Sequence, residues 1–175
     1  GMDLFGFVMI ALLTAIGGGT LRDIILDAPV FWTQGPIDLW IIMLAAFVTF
    51  FAANAIQRVE RWLIWADAVG LSVFCVIGSA KSLTLSANPT VAVALGVVTA
   101  VMGGIIRDVV CNEVPLMLRQ DIYATAAFAG ALTFVVLVTF GVGQSTAAWA
   151  GAAVCFAVRA AAIVWGLSLP RRGPH

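Results

Sequence analysis

The residues with the most chemical potential in this chain sit in two look-alike stretches. Thr14-Ala15-Ile16-Gly17-Gly18-Gly19-Thr20-Leu21-Arg22-Asp23-Ile24-Ile25 reads almost in register with Thr99-Ala100-Val101-Met102-Gly103-Gly104-Ile105-Ile106-Arg107-Asp108-Val109-Val110. Each sets glycines about one helical turn ahead of an Arg-Asp couple, inside a run that is otherwise apolar. Charges in such a run are costly in lipid, so they face a cavity or one another. Glycines there have two uses. They let helix backbones approach closely, or they unwind the helix so that its backbone groups line a water-filled path. The Arg-Asp that follows each cluster favours the second use, which makes Gly17, Gly18, Gly19, Gly103 and Gly104 candidate hinges of a pathway.

Neighbours in helical sequence do not face each other, so each charge is expected to find its partner elsewhere. The pseudo-two-fold relation pairs Arg22 with Asp108 and Arg107 with Asp23, a lock across the two copies. A plainer reading stands beside it, in which the couples only fix helix ends at the interface. Asp67, early in another apolar run, is a further candidate for cation attraction or proton coupling; otherwise it hydrogen-bonds a neighbouring helix end. Lys81 and Glu113 lie nearer span ends, where snorkelling explains them.

Other chemistries lack their residues. The one histidine is His175, at the C-terminus, so no imidazole relay or His-rich metal site is available. Cys75, Cys111 and Cys155 stand singly, without a CxxC, and read as small buried hydrophobes. No nucleophile is paired with a base, so an enzyme is not expected, and neither a cofactor nor a metal is implied.

The elements that must position the charges follow from composition. Of 175 residues, 62% are hydrophobic and 10% charged, far from the roughly one-quarter charged of a soluble domain. Nine acidic and nine basic residues cannot give the chain a polar skin, so lipid covers most of its surface. Zero net charge leaves no electrostatic footprint for nucleic acid. Six stretches approach the ~20 apolar residues that a crossing needs: about 4–26, 39–56, 62–85, 89–110, 122–140 and 146–167. The first lacks the basic flank and cleavage site of a signal peptide and reads as a span. The expected fold is therefore all-α, a polytopic bundle. Trp32, Trp40, Trp62 and Trp65 suit an interfacial belt. If the spans alternate, Arg58, Arg61, Arg119, Arg171 and Arg172 share one side, which the distribution of basic residues makes cytoplasmic, C-terminus included.

The two copies lie about 85 residues apart, a length that suits three crossings, and an odd number of crossings inverts the second copy. Pro29 has its counterpart in Pro115, and Asp38-Leu39-Trp40 in Asp121-Ile122-Tyr123. The chain thus divides as one transmembrane domain, 1–175, with repeat one over 2–57, repeat two over 62–140 and an extra helix over 146–167. Repeat one has no counterpart, ahead of Met2, of the span that opens repeat two; a complete inverted architecture would have three plus three plus one helices.

The paired stretches GGGTLRD…PVFW and GGIIRDVVCNEVPLMLRQDIYA resemble the bacterial relatives of the trimeric intracellular cation channels, a group also labelled glycine transporters. The likeness covers essentially the whole chain. It implies seven helices, a homotrimer, and a pore in each protomer lined by the two glycine-broken helices, with Arg22 and Arg107 as lining or locking charges and potassium as the permeant ion. It also implies a bacterial inner-membrane location. Met102 stands where the first copy has Gly17, so the second break is expected to be milder. A secondary transporter of glycine or another small amino acid is the alternative, because half-helix termini suit a carboxylate as well as a bare cation.

Overall fold

The computed structural model describes residues 3–35, 37–53, 59–85, 88–119 and 122–167, and all regular structure among them is helical. Arg58, Arg171 and Arg172, which carry much of the orientation argument, lie outside the described residues, as do Pro36, Asp121, Pro174 and His175. The side chains of Arg61 and Arg119 are likewise not among those described.

The chain runs through α1 (Leu4–Ile25), a 3-10 turn (Phe31–Thr33), α2 (Ile37–Ala53), α3 (Val59–Thr84), α4 (Pro89–Val110), the short α5 (Leu116–Arg119), α6 (Ala124–Thr139) and α7 (Gln144–Trp165). Local sequence sets the ends. Asp3 caps α1 by accepting the Gly6 N–H at 2.7 Å. Asn88 caps α4 by accepting the Thr90 N–H at 2.9 Å, with Pro89 at the first helical position where its missing N–H costs nothing. Gly166 ends α7 in the left-handed conformation, φ 60°.

Four helices, α1, α3, α4 and α7, are long and apolar enough to cross a membrane; α2 and α6 are equally apolar but shorter, 17 and 16 residues. At 1.5 Å per residue these two are about 25 Å long, just under the ~30 Å hydrocarbon thickness. The helices fall where the apolar runs place them, but the 3-10 turn and α5 carry no hydropathy signal and are new.

Helix α4 is the hub, packing on α1, α3 and α6, while α7 closes the far side against α3 and α6. The core is built of small side chains, among them Ala92, Ala100, Ala126, Ala127, Ala131 and Ala147, around Leu71 and Phe134. Between helices with no hydrophobic drive to associate in lipid, small residues gain contact by close approach. Helix α2 packs chiefly on α1 and turns Trp40, Ile41, Leu44, Phe47, Val48 and Phe51 outward. That face needs lipid or another apolar surface over it.

The expectation of glycine-broken helices is corrected here. Helices α1 and α4 run unbroken through Gly17, Gly18 and Gly19 and through Gly103 and Gly104. Gly18, Gly19, Gly103 and Gly104 are buried within the bundle. A Cβ on Gly18 would lie 2.1 Å from the Thr99 carbonyl oxygen, and one on Gly103 would lie 2.3 Å from the Thr14 carbonyl oxygen. Close approach of backbones therefore accounts for Gly18 and Gly103, in the manner that brings Cα–H groups onto a facing carbonyl. Because Thr14 faces Gly103 while Gly18 faces Thr99, moving forward along α1 means moving backward along α4. The two helices cross antiparallel, and the crossing is reciprocal.

Candidate functional site

The same 85-residue correspondence governs the polar groups beyond the crossing. Thr14 and Thr99 both bond back to a carbonyl four residues earlier, Ile10 at 2.7 Å and Leu95 at 2.6 Å. Past each helix end the chain takes one left-handed residue, Asp27 with φ 49° and Asn112 with φ 55°. Both are types that tolerate that conformation. The turn then brings a later backbone amide to the aspartate. The Phe31 N–H donates to Asp23 Oδ2 at 2.9 Å, and the Leu116 N–H donates to Asp108 Oδ2 at 2.8 Å. Each aspartate thus ties the segment after its helix back to that helix's last turn. This is why a 3-10 turn and α5 form at equivalent places.

With Oδ2 committed to the loop, Oδ1 is left to the adjacent arginine. Arg22 Nε donates to Asp23 Oδ1 at 2.9 Å, and Arg107 Nε to Asp108 Oδ1 at 2.9 Å. The expected exchange of partners, Arg22 with Asp108 and Arg107 with Asp23, is therefore corrected: each arginine pairs within its own couple. Adjacent side chains leave an ideal helix in different directions, but the arginine stem is long enough to fold its fork over a neighbour held toward it by the loop.

What joins the elements is a third charge, supplied to each couple by α3. Lys81 Nζ lies 2.8 Å from Asp23 Oδ1, and Arg107 Nη1 donates to Asp67 Oδ1 at 3.1 Å. Among the described residues the lock across the copies takes the form of Lys81 of α3 on Asp23 of α1. Asp67 and Lys81 are fourteen positions apart, about 21 Å along α3. The two clusters therefore lie toward opposite ends of the seam along which α4 packs on α1 and on α3.

The clusters differ in exposure and in company. Asp23 is fully buried with Arg22 at 3%, but the Lys81 side chain is 30% exposed. At the other end, Asp67 is 6% exposed and Arg107 13%, and Asp67 Oδ2 and Arg107 Nη2 have no hydrogen-bond partner. Gly104 leaves room for them: a Cβ there would lie 2.9 Å from the Tyr123 hydroxyl, 3.4 Å from Asp67 Oδ1 and 3.8 Å from Arg107 Nη2. Gly19 holds the corresponding place against the ring of Phe31, and Gly17 faces only the tip of Ile106.

Of the residues singled out from sequence, Arg22 and Asp23 come together at one end, and Arg107, Asp108 and Asp67 at the other. Lys81, read as a snorkelling lysine, is an ion-pair member instead; the buried Ser79 and Ser82 beside it were the available hint of an inward face. Tyr123, which the repeat sets opposite Trp40, and Arg159 are not among the residues that the sequence singles out for the site. Arg159 is 1% exposed within the apolar α7, and a charge inside a membrane helix is itself the signal. Cys111 is exposed, whereas Cys75 and Cys155 are buried as expected. Among the described residues no group of histidine, cysteine or acidic side chains could hold a metal ion.

Comparison with known proteins bears on the whole chain. A family model described as glycine transporter matches residues 1–54 and 64–139. The UPF0126 inner membrane protein YadS of Escherichia coli K12 is 44% identical over 172 residues, covering 97% of this chain and 83% of the relative. A UPF0126 membrane protein of Vibrio cholerae is 41% identical, with 97% and 72% covered. Among solved structures, the trimeric intracellular cation channel orthologue from Rhodobacter sphaeroides superposes with a TM-score of 0.91 at 47% identity, covering 95% of this chain and 86% of that one. A structure reported for conductance through TRIC cation channels gives 0.88 at 31% identity, with 100% and 87% covered.

Proposed function

This chain belongs to the family described as glycine transporters, whose solved members above are trimeric intracellular cation channels, and from that premise we propose that it is a membrane channel for monovalent cations, potassium in particular. It works as a homotrimer in a bacterial inner membrane, with one path per protomer and the C-terminus in the cytoplasm. Its organisation is one transmembrane domain with repeat one over 2–57, repeat two over 62–140 and an extra helix over 146–167.

The observation that carries this reading is the placing of a buried carboxylate, each held by an internal cation, at either end of an antiparallel glycine crossing. Asp23 and Asp67 are the groups that a passing cation meets. In the conformation described, Lys81 and Arg107 occupy them, and Gly18 and Gly103 seat α1 and α4 on each other's backbone. Conduction then requires the two helices to part along the seam and the internal cations to swing aside. The carboxylates, and the Thr14 and Thr99 carbonyls that this parting uncovers, replace part of the ion's water. Both helices keep their own hydrogen bonds throughout, so the path opens by separation and needs no unwound segment.

One observation favours the alternative, a secondary transporter of glycine or another small amino acid. Asp67 Oδ2 and Arg107 Nη2, the second arms of one ion pair, have no hydrogen-bond partner, and two such groups suit the ammonium and carboxylate of a zwitterion. Purified protein in liposomes separates the two. Potassium flux that is indifferent to amino acids supports the channel, saturable glycine uptake supports the carrier, and the absence of both refutes either.

A further inference from the structure

The end of the seam formed by repeat two has a neighbour that the other end lacks. Arg159 rises from α7, which belongs to neither repeat, and reaches into the cluster with its guanidinium carbon 5.0 Å from the centre of the Tyr123 ring. Its Nη1 makes a long bond, 3.4 Å, to the Ile122 carbonyl in the turn ahead of α6. The Tyr123 hydroxyl and Asp67 Oδ1 border the same space beside Gly104, 2.9 and 3.4 Å from where a Cβ there would lie, and the Arg159 charge is near enough to act on Asp67. Four buried charges therefore share this end: Asp67, Asp108, Arg107 and Arg159. They sum to zero, while Arg22, Asp23 and Lys81 at the other end sum to plus one.

We propose that Arg159 is a positioning residue for conduction, setting through Tyr123 and Asp67 both the geometry and the net charge of the repeat-two mouth. The proposal rests on the channel reading above. A buried arginine with only a packing role has no need to sit over the ring of the one tyrosine beside the pathway carboxylate. Such a stack places the guanidinium as a fixed counter-charge while leaving Asp67 bonded to Arg107. Without it, Asp67 and Asp108 outweigh Arg107. A unit charge about 10 Å from an ion changes local cation occupancy roughly two- to fifteenfold between bulk-water and protein-surface screening.

The test is a charge cycle read from potassium currents in planar bilayers, with R159Q, R159K, D67N and the double variant D67N/R159Q. R159Q raises cation occupancy at one mouth only, so its current becomes asymmetric with voltage by a factor in that range. D67N biases the current in the opposite direction. The double variant, neutral again, returns toward the wild-type current–voltage curve, and R159K lies between wild type and R159Q because it keeps the charge and loses the stack. A double variant no closer to wild type than R159Q overturns the proposal, as does an R159Q curve that matches wild type. If R159Q does not fold, yield of monodisperse protein replaces current: recovery in D67N/R159Q supports the charge coupling, and equal failure of both assigns Arg159 to packing and refutes it. Wild-type protein that passes no cation refutes the channel reading itself, an outcome distinct from any of these.

Discussion

Adding one methyl group at the helix crossing measures how tightly α1 and α4 are held. In Gly18→Ala the new carbon would sit 2.1 Å from a backbone carbonyl oxygen, and in Gly103→Ala 2.3 Å. Ordinary contact needs about 3.5 Å, so the helices must part by about 1 Å, because neither obstacle is a side chain that can rotate away. Overpacking of this kind costs about 1–3 kcal/mol. For a chain of this length that is roughly 2–12 °C of thermal midpoint. Because the two contacts lie one turn apart on the same pair of helices, parting them for one relieves most of the other. The double variant is then expected to lose little more than the worse single, far from the sum. Gly17→Ala is the control, since its Cβ would meet only the terminal carbon of Ile106, and it should change the midpoint by less than either. Thermal unfolding of purified protein in detergent, followed by loss of the monodisperse peak, gives all four values. Additive losses at Gly18 and Gly103, or a Gly17→Ala variant as damaged as Gly18→Ala, would refute the reciprocal crossing.

Three further outcomes follow from the ion-pair geometry. Asp23→Asn leaves Arg22 and Lys81 without their carboxylate in a buried site, and should cost about 3–5 kcal/mol of stability; Lys81→Gln, removing the partly exposed member, should cost clearly less by the same thermal assay. Asp23→Asn and Asp108→Asn should each loosen the segment their Oδ2 holds, seen as faster hydrogen exchange at the Phe31 amide in one and the Leu116 amide in the other, with the unmutated copy unchanged. Thr20→Val removes the acceptor of the Trp32 indole N–H, a 3.0 Å bond. The expected loss is about 1 kcal/mol with a shift in tryptophan emission, and an unchanged emission spectrum would count against that contact.

Much of this molecule was written along the chain. Hydropathy located every long helix to within a few residues, because lipid requires each crossing to satisfy its own backbone and leaves few alternatives to a helix. The recurrence of glycines before Arg-Asp announced the duplication, and the oddness of three crossings announced its inversion. Those are properties of residue order, and no partner is needed to read them.

Partners were what the sequence could not supply. Whether a glycine loosens a helix or seats it on a neighbour depends on what lies opposite, and only the fold places the Thr99 and Thr14 carbonyls there. Whether Arg22 reaches Asp108 or Asp23 depends on where the loop amide of Phe31 pulls the carboxylate, an interaction eight residues away that helical periodicity does not encode. Lys81, Tyr123 and Arg159 joined the site because α3 passes both clusters and α7 packs on α3 and α6 beside one of them. The sequence by itself determined a lipid-embedded, twice-repeated helical chain with charges that had to be paired. The tertiary structure decided the pairing, because burial makes an unpaired charge too costly to leave and geometry admits only the partners within reach.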